Sequence, residues 1–476
     1  MTSNHLGGEQ IVTSFLWGEM AGKGDVISSC SPLDGTPLGQ TRQLTQNELN
    51  LLLAPTVHPL TIAPEDFKAF AERLYKALEC MSEQIFEALQ RETGFVSADC
   101  REVRDGILLF VRDFYDVGGA VRKDPPNRFY EAEGQNRRLR QVAVPWGTVA
   151  VILPSSAALF LGLTCLFNAL ATGNRVILRF PAGCPLSAEI LCQALVLAQA
   201  PTESVSVVMV PAKKLINAIN QCRSSILVHY LGSSSHAASL VTQGFEHCNT
   251  VVADGEGNTW VWVSPEADPV SVAQTLTHGA LRYNGQTCTS INGALIHPQI
   301  YEDVRDALVA QWSRLKTGDP RDEGTNVGPL SGEEQAKWCQ ERIEESGGRI
   351  LCGGSREGAF LSPTLIEVPE TQSELVTQGL FGPALWIASA TQEQFAEKWP
   401  TNRYPLCVGL LAANTESIAW AARLGNVARV VVDADPSIEW VFEPWGGYPA
   451  SGNNPVSSWA DKYRRVVALD EPRLSN

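Results

Sequence analysis

The pattern of apolar and polar residues divides the chain into a helical part and parts in which strands and helices alternate. Residues 64–114 place apolar side chains three and four positions apart, as at Phe67, Phe70, Leu74 and Leu78, which predicts helices. Further along, short apolar runs alternate with amphipathic segments. These predict strands at 142–153, 175–179, 205–210 and 226–231, and helices at 159–171, 187–199 and 214–222.

A second stretch of the same kind covers residues 251–430. It is predicted to hold strands at 260–263 and 294–297 and helices at 270–281 and 301–315. Strands that alternate with helices indicate βαβ units and a mostly parallel sheet. Because such sheets bind ligands at the carboxyl ends of their strands, the sequence predicts an α/β fold with a site at that edge.

The most apolar stretch, residues 149–171, has the length of a membrane span but is interrupted by Pro154, Ser155 and Ser156. The uninterrupted part is too short to cross the roughly 30 Å of hydrocarbon in a bilayer. We therefore expect a buried strand, a turn at the three interrupting residues and then a buried helix. No membrane partner is expected.

Composition and charge narrow the class of protein. The 476 residues are 44% hydrophobic and 19% charged, which is typical of a globular protein with a large core. There are 37 Lys and Arg against 52 Asp and Glu, a formal charge of −15. Because an anionic surface repels nucleic acid and anionic lipid, neither is an expected partner.

The cysteines and the start of the chain indicate the compartment. The twelve cysteines are scattered with no CxxC pair, which favours free thiols in a reducing compartment over a disulfide scaffold or structural zinc. Residues 1–10 show no basic stretch followed by an apolar one, the pattern of a secretory signal. These features predict a cytoplasmic protein without a metal site.

The motif Asn284-Gly285-Gln286-Thr287-Cys288 is the sharpest local signal for chemistry. A cysteine that follows a glycine-containing turn and leads into an apolar strand is a candidate nucleophile. A lone cysteine is more often a passive buried thiol. The motif alone therefore leaves both interpretations open.

Taken in order, motifs along nearly the whole chain resemble those of the NAD(P)-dependent aldehyde dehydrogenase superfamily, of which the chain looks like a divergent member. Each motif is weak alone, but nine in family order at family-like spacing are strong. They are Ser31-Pro32-Leu33-Asp34-Gly35, Pro145-Trp146-Gly147, Ala169-Leu170-Ala171-Thr172-Gly173-Asn174, Gly232-Ser233-Ser234, Gly285-Gln286-Thr287-Cys288, Gly318-Asp319-Pro320, Gly328-Pro329-Leu330, Phe381-Gly382-Pro383 and Gly446-Gly447-Tyr448-Pro449-Ala450-Ser451-Gly452.

The resemblance implies an aldehyde dehydrogenase-like α/β fold in three parts. Residues 1–126 and 145–250 would form a Rossmann-type dinucleotide-binding domain, and residues 251–430 an α/β catalytic domain that holds the nucleophile. Residues 127–144 and 455–476 would form a small β flap. In the family this flap joins subunits, so a homodimer or homotetramer is expected.

For the reaction, the resemblance assigns Cys288 as the nucleophile that holds an aldehyde substrate first as a thiohemiacetal and then as a thioester. Ser156 stands where the family has an asparagine that holds the oxyanion, beside the backbone N–H of the nucleophile. Asp254 stands at the position of the family's general base, and Glu256 is a neighbouring candidate. Arg282 is a candidate contact for an acidic substrate.

For the cofactor, the resemblance places the pyrophosphate of NAD or NADP at Gly232 and Ser233, where a strand is expected to lead into the start of a helix. Pro154 and Phe381 are further candidate cofactor contacts, with Phe381 near the nicotinamide.

The residues expected around the adenosine ribose favour NADP slightly over NAD. Arg179 stands where the family has a lysine near the ribose. Ala182 and Gly379 replace two carboxylates of NAD-preferring relatives. A guanidinium without those carboxylates favours a 2′-phosphate over a 2′-hydroxyl. The same losses are also compatible with weakened cofactor binding.

Three functions stay open on the sequence. The first is oxidation of an aldehyde to a carboxylic acid. The second is a CoA-acylating aldehyde dehydrogenase or acyl-thioester reductase, because the Gly-x-Gly-Asn phrase at residues 255–258 resembles CoA-acylating members. The third is a non-catalytic protein on the same fold, which the departures from the family motifs support. The intact motif at Cys288 favours the first function, and no local motif identifies the aldehyde.

Overall fold

The structure, a computed structural model, describes residues 11–54, 60, 62–117, 129–131, 137–222, 225–369 and 372–472. The helices are α1 (Gln46–Leu52), α2 (Pro64–Cys80), α3 (Ser82–Thr93), α4 (Ser97–Val117), α5 (Ala158–Ala171), α6 (Pro185–Leu197), α7 (Ala212–Gln221), α8 (Ser234–Glu246), α9 (Pro269–Leu281), α10 (Tyr301–Trp312), α11 (Glu333–Glu345), α12 (Glu374–Gln378), α13 (Gln392–Lys398), α14 (Thr415–Ala421) and α15 (Trp459–Lys462). The strands are β1 (Ile11–Val12), β2 (Ser14–Leu16), β3 (Glu19–Ala21), β4 (Val26–Cys30), β5 (Pro37–Arg42), β6 (Phe129–Glu131), β7 (Arg137–Pro145), β8 (Thr148–Ile152), β9 (Arg175–Arg179), β10 (Val205–Val208), β11 (Leu227–Leu231), β12 (Thr250–Asp254), β13 (Thr259–Val263), β14 (Ile291–Ile296), β15 (Arg349–Cys352), β16 (Arg356–Glu357), β17 (Phe360–Leu361), β18 (Thr364–Glu367), β19 (Ala384–Ser389), β20 (Cys407–Leu411), β21 (Arg429–Val432), β22 (Trp445–Gly447), β23 (Asn454–Ser457) and β24 (Arg464–Pro472).

The first large sheet has the strand order β12-β11-β8-β9-β10-β2-β3, and the strands from β12 to β10 run parallel. Its central strands β8, β9, β10 and β11 are almost entirely buried because both faces of the sheet are covered there. On β8, Val149 and Val151 pack into one core with residues of α2, α4, α5 and α6. Ala150 and Ile152 face a second core that includes residues of α1 and α7.

The second large sheet has the order β15-β18-β19-β14-β13-β20-β21 and is parallel except at the edge strand β15. Trp260 and Trp262 of β13 pack with Phe395 on one face, with ring centroids 6.1 and 6.2 Å from it. Val261 and Val263 pack with residues of α9 and α10 on the other face. Both halves of the chain therefore have the predicted α/β class.

A small antiparallel sheet, in the order β24-β7-β6, links distant parts of the chain. Several of its apolar side chains face solvent, among them Val466, which is 62% exposed. The predicted flap, residues 127–144 and 455–476, contains most of this sheet. Its positions 127–128, 132–136 and 473–476 lie outside the described residues.

The two large sheets divide the chain between β12 and β13. This division falls after Asp254, close to the predicted domain limit between residues 250 and 251. The predicted domains remain a prediction, and positions 1–10 and 118–126 of the first one lie outside the described residues. The division matters because Asp254 ends the last strand of one sheet, where the chain passes to the other.

The single strand predicted at residues 142–153 was wrong. The structure has two strands there, β7 and β8, which belong to different sheets. Pro145 has no N–H to donate, and Gly147 has a φ of +102°, so the chain turns between them. By contrast, β9 spans the predicted residues 175–179.

Within the described ranges, no helix is both long and apolar enough to cross a membrane. Among the same residues, no group of His, Cys, Asp and Glu side chains could hold a metal ion. All twelve cysteines carry free thiols.

Candidate active site

A cavity of about 1510 Å³ lies at the carboxyl ends of β8, β11 and β12 and reaches the predicted nucleophile. A small-molecule pocket usually measures roughly 300–1,000 Å³, so this cavity has room for a dinucleotide and a substrate together. Neither Arg179 nor Ala182 is part of its wall. The wall does include the predicted site residues Pro154, Ser156, Gly232, Ser233, Asp254, Glu256, Arg282, Cys288, Gly379 and Phe381.

A strained turn precedes Cys288. The 3₁₀ helix Arg282–Gly285 contains Tyr283 and Asn284, both with φ at +56°, a conformation that non-glycine residues rarely adopt. The side chain of Asn284 holds the turn in place, since its Nδ2 donates to the carbonyls of Gly94 and Pro329 at 3.0 Å each. The predicted nucleophile, Cys288, therefore follows a backbone turn that is fixed by hydrogen bonds.

The backbone of Cys288 is in close contact with the loop that follows β12. A Cβ atom placed on Gly257 would lie 2.0 Å from the carbonyl oxygen of Cys288, so only glycine fits at this position. The same loop carries Glu256, and Asp254 directly precedes the loop as the last residue of β12. The position of these two carboxylates is therefore tied to that of the nucleophile.

The surroundings of Cys288 favour the protonated form of its thiol. Burial raises its pKa well above the ordinary value, and the negative charge of Glu439 raises it further. Only the thiolate is a strong nucleophile. Catalysis by Cys288 therefore requires a change that removes this proton.

Asp254 is the centre of a buried network. Its carboxylate accepts hydrogen bonds from Nε2 of His229 at 2.7 Å, Nδ2 of Asn454 at 2.9 Å and Nζ of Lys462 at 3.2 Å. The hydroxyl of Tyr463 lies 2.7 Å from Nδ1 of His229. Burial alone would raise the pKa of Asp254, but Lys462, His229 and Asn454 together hold it well below its usual value. A carboxylate stabilised in this way is a weak proton acceptor.

Two further carboxylates line the cavity in different surroundings. Glu256 accepts a hydrogen bond from the backbone N–H of Ser234, the first residue of α8, at 2.8 Å. Glu439 accepts one from the hydroxyl of Thr289 at 2.6 Å, and burial raises the pKa of Glu439. Because Thr289 directly follows Cys288, Glu439 lies beside the nucleophile.

Sequence analysis missed Glu439. It is 150 positions from Thr289 in the chain, and no local motif surrounds it. The only signal was its place a few residues before the Gly446-Gly447 motif, in a segment without regular structure.

Ser156 lies in the turn between β8 and α5, in the wall of the cavity. The turn is held by a hydrogen bond from the thiol of Cys184 to the carbonyl of Ser155 at 3.4 Å. A hydroxyl and a backbone N–H are both donor types that stabilise an oxyanion. Ser156 is a candidate for the hydroxyl donor, and the backbone N–H of Cys288 is a candidate for the second donor.

The guanidinium of Arg282 is engaged by protein groups. It donates from Nε to Glu102 at 3.2 Å and from Nη2 to the hydroxyl of Tyr283 at 2.9 Å, and it also bonds to the carbonyl of Ser437. An acidic substrate at Arg282 would therefore have to compete with Glu102.

Three of the predicted cofactor residues lie at the ends of two strands, β11 and β9, that are separated in the sheet by β8. Gly232 and Ser233 connect β11 to α8, and Ser233 is the N-cap of that helix. Arg179 ends β9 and donates from Nε to the carbonyl of Val210 at 2.8 Å. The start of α8 offers backbone N–H groups and a partial positive charge, which suit a phosphate.

Comparison with known proteins identifies the family of this chain. The model of the aldehyde dehydrogenase family matches residues 18–467, and the chain belongs to that family. D-glyceraldehyde dehydrogenase (NADP(+)) of Picrophilus torridus is 24% identical over 83% of this chain and 82% of its own length. Aldehyde dehydrogenase family 7 member B4 of Arabidopsis thaliana is 25% identical over 98% of this chain and 93% of its own.

Solved structures show the same fold. The NAD+ complex of an aldehyde dehydrogenase from Bacillus cereus superposes with a TM-score of 0.89 at 20% identity, over 97% of each chain. Together with the family match, this confirms the predicted aldehyde dehydrogenase-like fold. The family match also confirms the predicted enzyme class, an oxidoreductase that acts on aldehydes.

Proposed function

We propose that this chain oxidises an aldehyde to a carboxylic acid, with Cys288 as the nucleophile and NAD(P)+ as the electron acceptor. One observation carries the proposal. Cys288 and the strand-to-helix turn at Gly232 and Ser233 line the same cavity. A nucleophile and a phosphate-binding turn in one chamber allow a substrate and a dinucleotide to be held in reacting positions.

The residues of this chain have separate tasks in the reaction. The thiol of Cys288 first gives its proton to water in the cavity, and the resulting thiolate attacks the aldehyde carbon. The N–H of Cys288 and the hydroxyl of Ser156 stabilise the oxyanion that forms. One such donor is worth about 2.7–4 kcal/mol of the barrier. Bound NAD(P)+ supplies the acceptor for the hydride that leaves the substrate. A thioester on Cys288 remains, and water releases it as the acid.

The cavity fits the phosphates of a dinucleotide at the start of α8. The Ser234 N–H there already binds an anion, since the carboxylate of Glu256 accepts from it at 2.8 Å. A phosphate in the same place would have to displace the carboxylate of Glu256 and would then find the same donor and the same helix charge. Pro154 and Phe381 line the cavity as well, and we assign them to the cofactor.

The deciding experiment is an assay of NAD(P)H formation from a series of aldehydes with purified protein and no CoA. We expect steady turnover, because water in the cavity can accept the acyl group from Cys288. Strict dependence on CoA would instead indicate the acyl-transferring alternative. If no aldehyde in the series is oxidised, the proposal is wrong.

We also propose NADP+ as the preferred cofactor, on the basis of Arg179 and of the missing carboxylates at Ala182 and Gly379. Arg179→Gln is expected to lower kcat/KM for NADP+ by about tenfold, because a phosphate loses a guanidinium partner, and to change that for NAD+ less. Steady-state kinetics with both cofactors measures this. Equal losses for the two cofactors would contradict a role at the 2′-phosphate.

We further propose that the protein is a cytoplasmic homodimer or homotetramer. The free thiols support a reducing compartment. The β24-β7-β6 sheet supports the assembly, since its apolar side chains at Leu139, Val466 and Leu469 are exposed in one chain and a second subunit would cover them.

A further inference from the structure

Release of the acid requires a group that takes a proton from water, and the surroundings of Asp254 do not suit that task. Its oxygens bond to His229, Asn454 and Lys462 within 3.3 Å. A proton on Asp254 would leave the buried ammonium of Lys462 without its counter-charge, which is strongly unfavourable. The position assigned by family resemblance thus holds an ion pair.

Glu439 has the opposite surroundings in the same cavity. The two guanidinium groups whose charges act on Glu439 are bonded to other carboxylates, Arg282 to Glu102 and Arg429 to Glu443. Among the ion pairs of the described residues, none includes Glu439. Its carboxylate can therefore take up a proton without breaking an ion pair.

We propose that Glu439 is the general base that takes a proton from the water that hydrolyses the Cys288 thioester. The hydroxyl of Thr289 holds the carboxylate at 2.6 Å, one residue from the sulfur that carries the acyl group. Glu439 and Cys288 both line the cavity, and the proposal places the attacking water between them. The inference rests on the proposed function, because it concerns the second half of that reaction.

The step balances without a further reagent. Water attacks the thioester carbon while one of its protons passes to Glu439. The tetrahedral intermediate then expels the sulfur of Cys288 as a thiolate and releases the carboxylic acid. The thiolate recovers the proton from Glu439, which restores both side chains. The substrate has already given up its hydride, so neither an oxidant nor a reductant is needed here.

The charge around Glu439 also suits a base. Burial raises its pKa above the ordinary value, while Thr289, Arg429 and Arg282 act against this rise and Glu443 adds to it. General bases work best when their pKa lies near the working pH. We expect kcat to increase with pH as Glu439 loses its proton, and this rise to be absent when a glutamine replaces it.

The test is the Glu439→Gln variant in a rapid-mixing experiment. We expect a full burst of one NAD(P)H per site, followed by a steady-state rate about 10²–10⁴-fold lower than in the wild type. The burst persists because hydride transfer precedes the step that needs the base. Hydroxylamine attacks thioesters without a general base, so it should restore turnover and yield the hydroxamate.

A second pair of variants separates catalysis from structure. Glu439→Asp keeps a carboxylate and is expected to turn over faster than Glu439→Gln. Asp306→Asn removes the same unit of charge from the surface of α10, where the side chain of Asp306 is 70% exposed, and should keep the wild-type steady-state rate. Thermal unfolding of each variant establishes that it is folded.

Two results would overturn the inference. One is a steady-state rate in Glu439→Gln equal to that of the wild type. The other is a burst that shrinks in proportion to turnover and does not recover with hydroxylamine, which would mean that Glu439 supports the shape of the site. If the wild-type protein oxidises no aldehyde, the proposed function itself is wrong. This result comes from the wild-type protein alone, so it is distinguishable from a defect of the Glu439→Gln variant.

Discussion

Replacement of Cys288 by alanine should reduce aldehyde oxidation by at least about a thousandfold, as loss of a nucleophile does in other covalent enzymes. Without the sulfur there is no covalent intermediate, and the cavity can only bind. NAD(P)H formation with a saturating aldehyde measures the loss. Cys80→Ala, at an exposed cysteine at the end of α2, is the matched control and should keep the wild-type rate.

Alkylation gives an independent check on the same residue. Because burial and the charge of Glu439 raise the pKa of Cys288, the thiolate fraction is small at neutral pH and grows as the pH rises. Inactivation by iodoacetamide should therefore accelerate steadily above neutral pH. Wild-type activity in Cys288→Ala would disprove the assignment of the nucleophile.

Asp254→Asn should lower the free energy of unfolding by about 3–5 kcal/mol, the usual cost of removing one partner of a buried ion pair. The substitution leaves the ammonium of Lys462, whose side chain is 1% exposed, buried without a counter-charge. Urea unfolding followed by circular dichroism measures the change. The same substitution at Asp319, which pairs with Arg321 at the surface, should cost less than about 1 kcal/mol.

A double variant tests whether the stability lost in Asp254→Asn comes from the unpaired charge of Lys462. Asp254→Asn combined with Lys462→Met removes both charges and should recover most of the lost stability, since an uncharged pair has no desolvation penalty. A loss in the double variant equal to the sum of the single losses would show that the pair is not coupled.

The pH dependence of this contribution follows from the direction of the shift. The pKa of Asp254 is lower in the folded protein than in the unfolded chain, where it is about 3.9. The stabilisation is therefore complete above the unfolded value and is lost as the pH falls through the folded one. We expect the difference between wild type and Asp254→Asn to persist to strongly acidic pH.

The sequence predicted the parts of the fold that local patterns determine. β9 matches its predicted range because the seven residues between Gly173 and Pro181 leave room for only one short buried strand. The turn at Pro145 and Gly147 was missed because both sides of it are apolar, although they belong to different sheets. The apolar character of a residue indicates that it is buried, but it does not indicate to which sheet the residue belongs.

The candidate site, like the fold, could be predicted only in part from the sequence. Family spacing located Cys288 and Asp254, but it did not reveal the environment of either residue. Lys462 is 208 positions from Asp254, and Glu439 is 150 positions from Thr289. Contacts of this kind depend on how two sheets and the C-terminal segment pack, and no periodicity in the sequence encodes them.

The contact between Gly257 and the carbonyl of Cys288 has a consequence for how this enzyme can change. Asp254 and the residue in close contact with the Cys288 backbone, Gly257, are separated by only two residues of the chain. Substitutions that disturb the packing around Asp254 should also displace the sulfur of Cys288. The free energy of unfolding and the turnover rate would then decrease together. To change turnover without changing stability, substitutions are better placed in the wall of the cavity that lies away from Asp254.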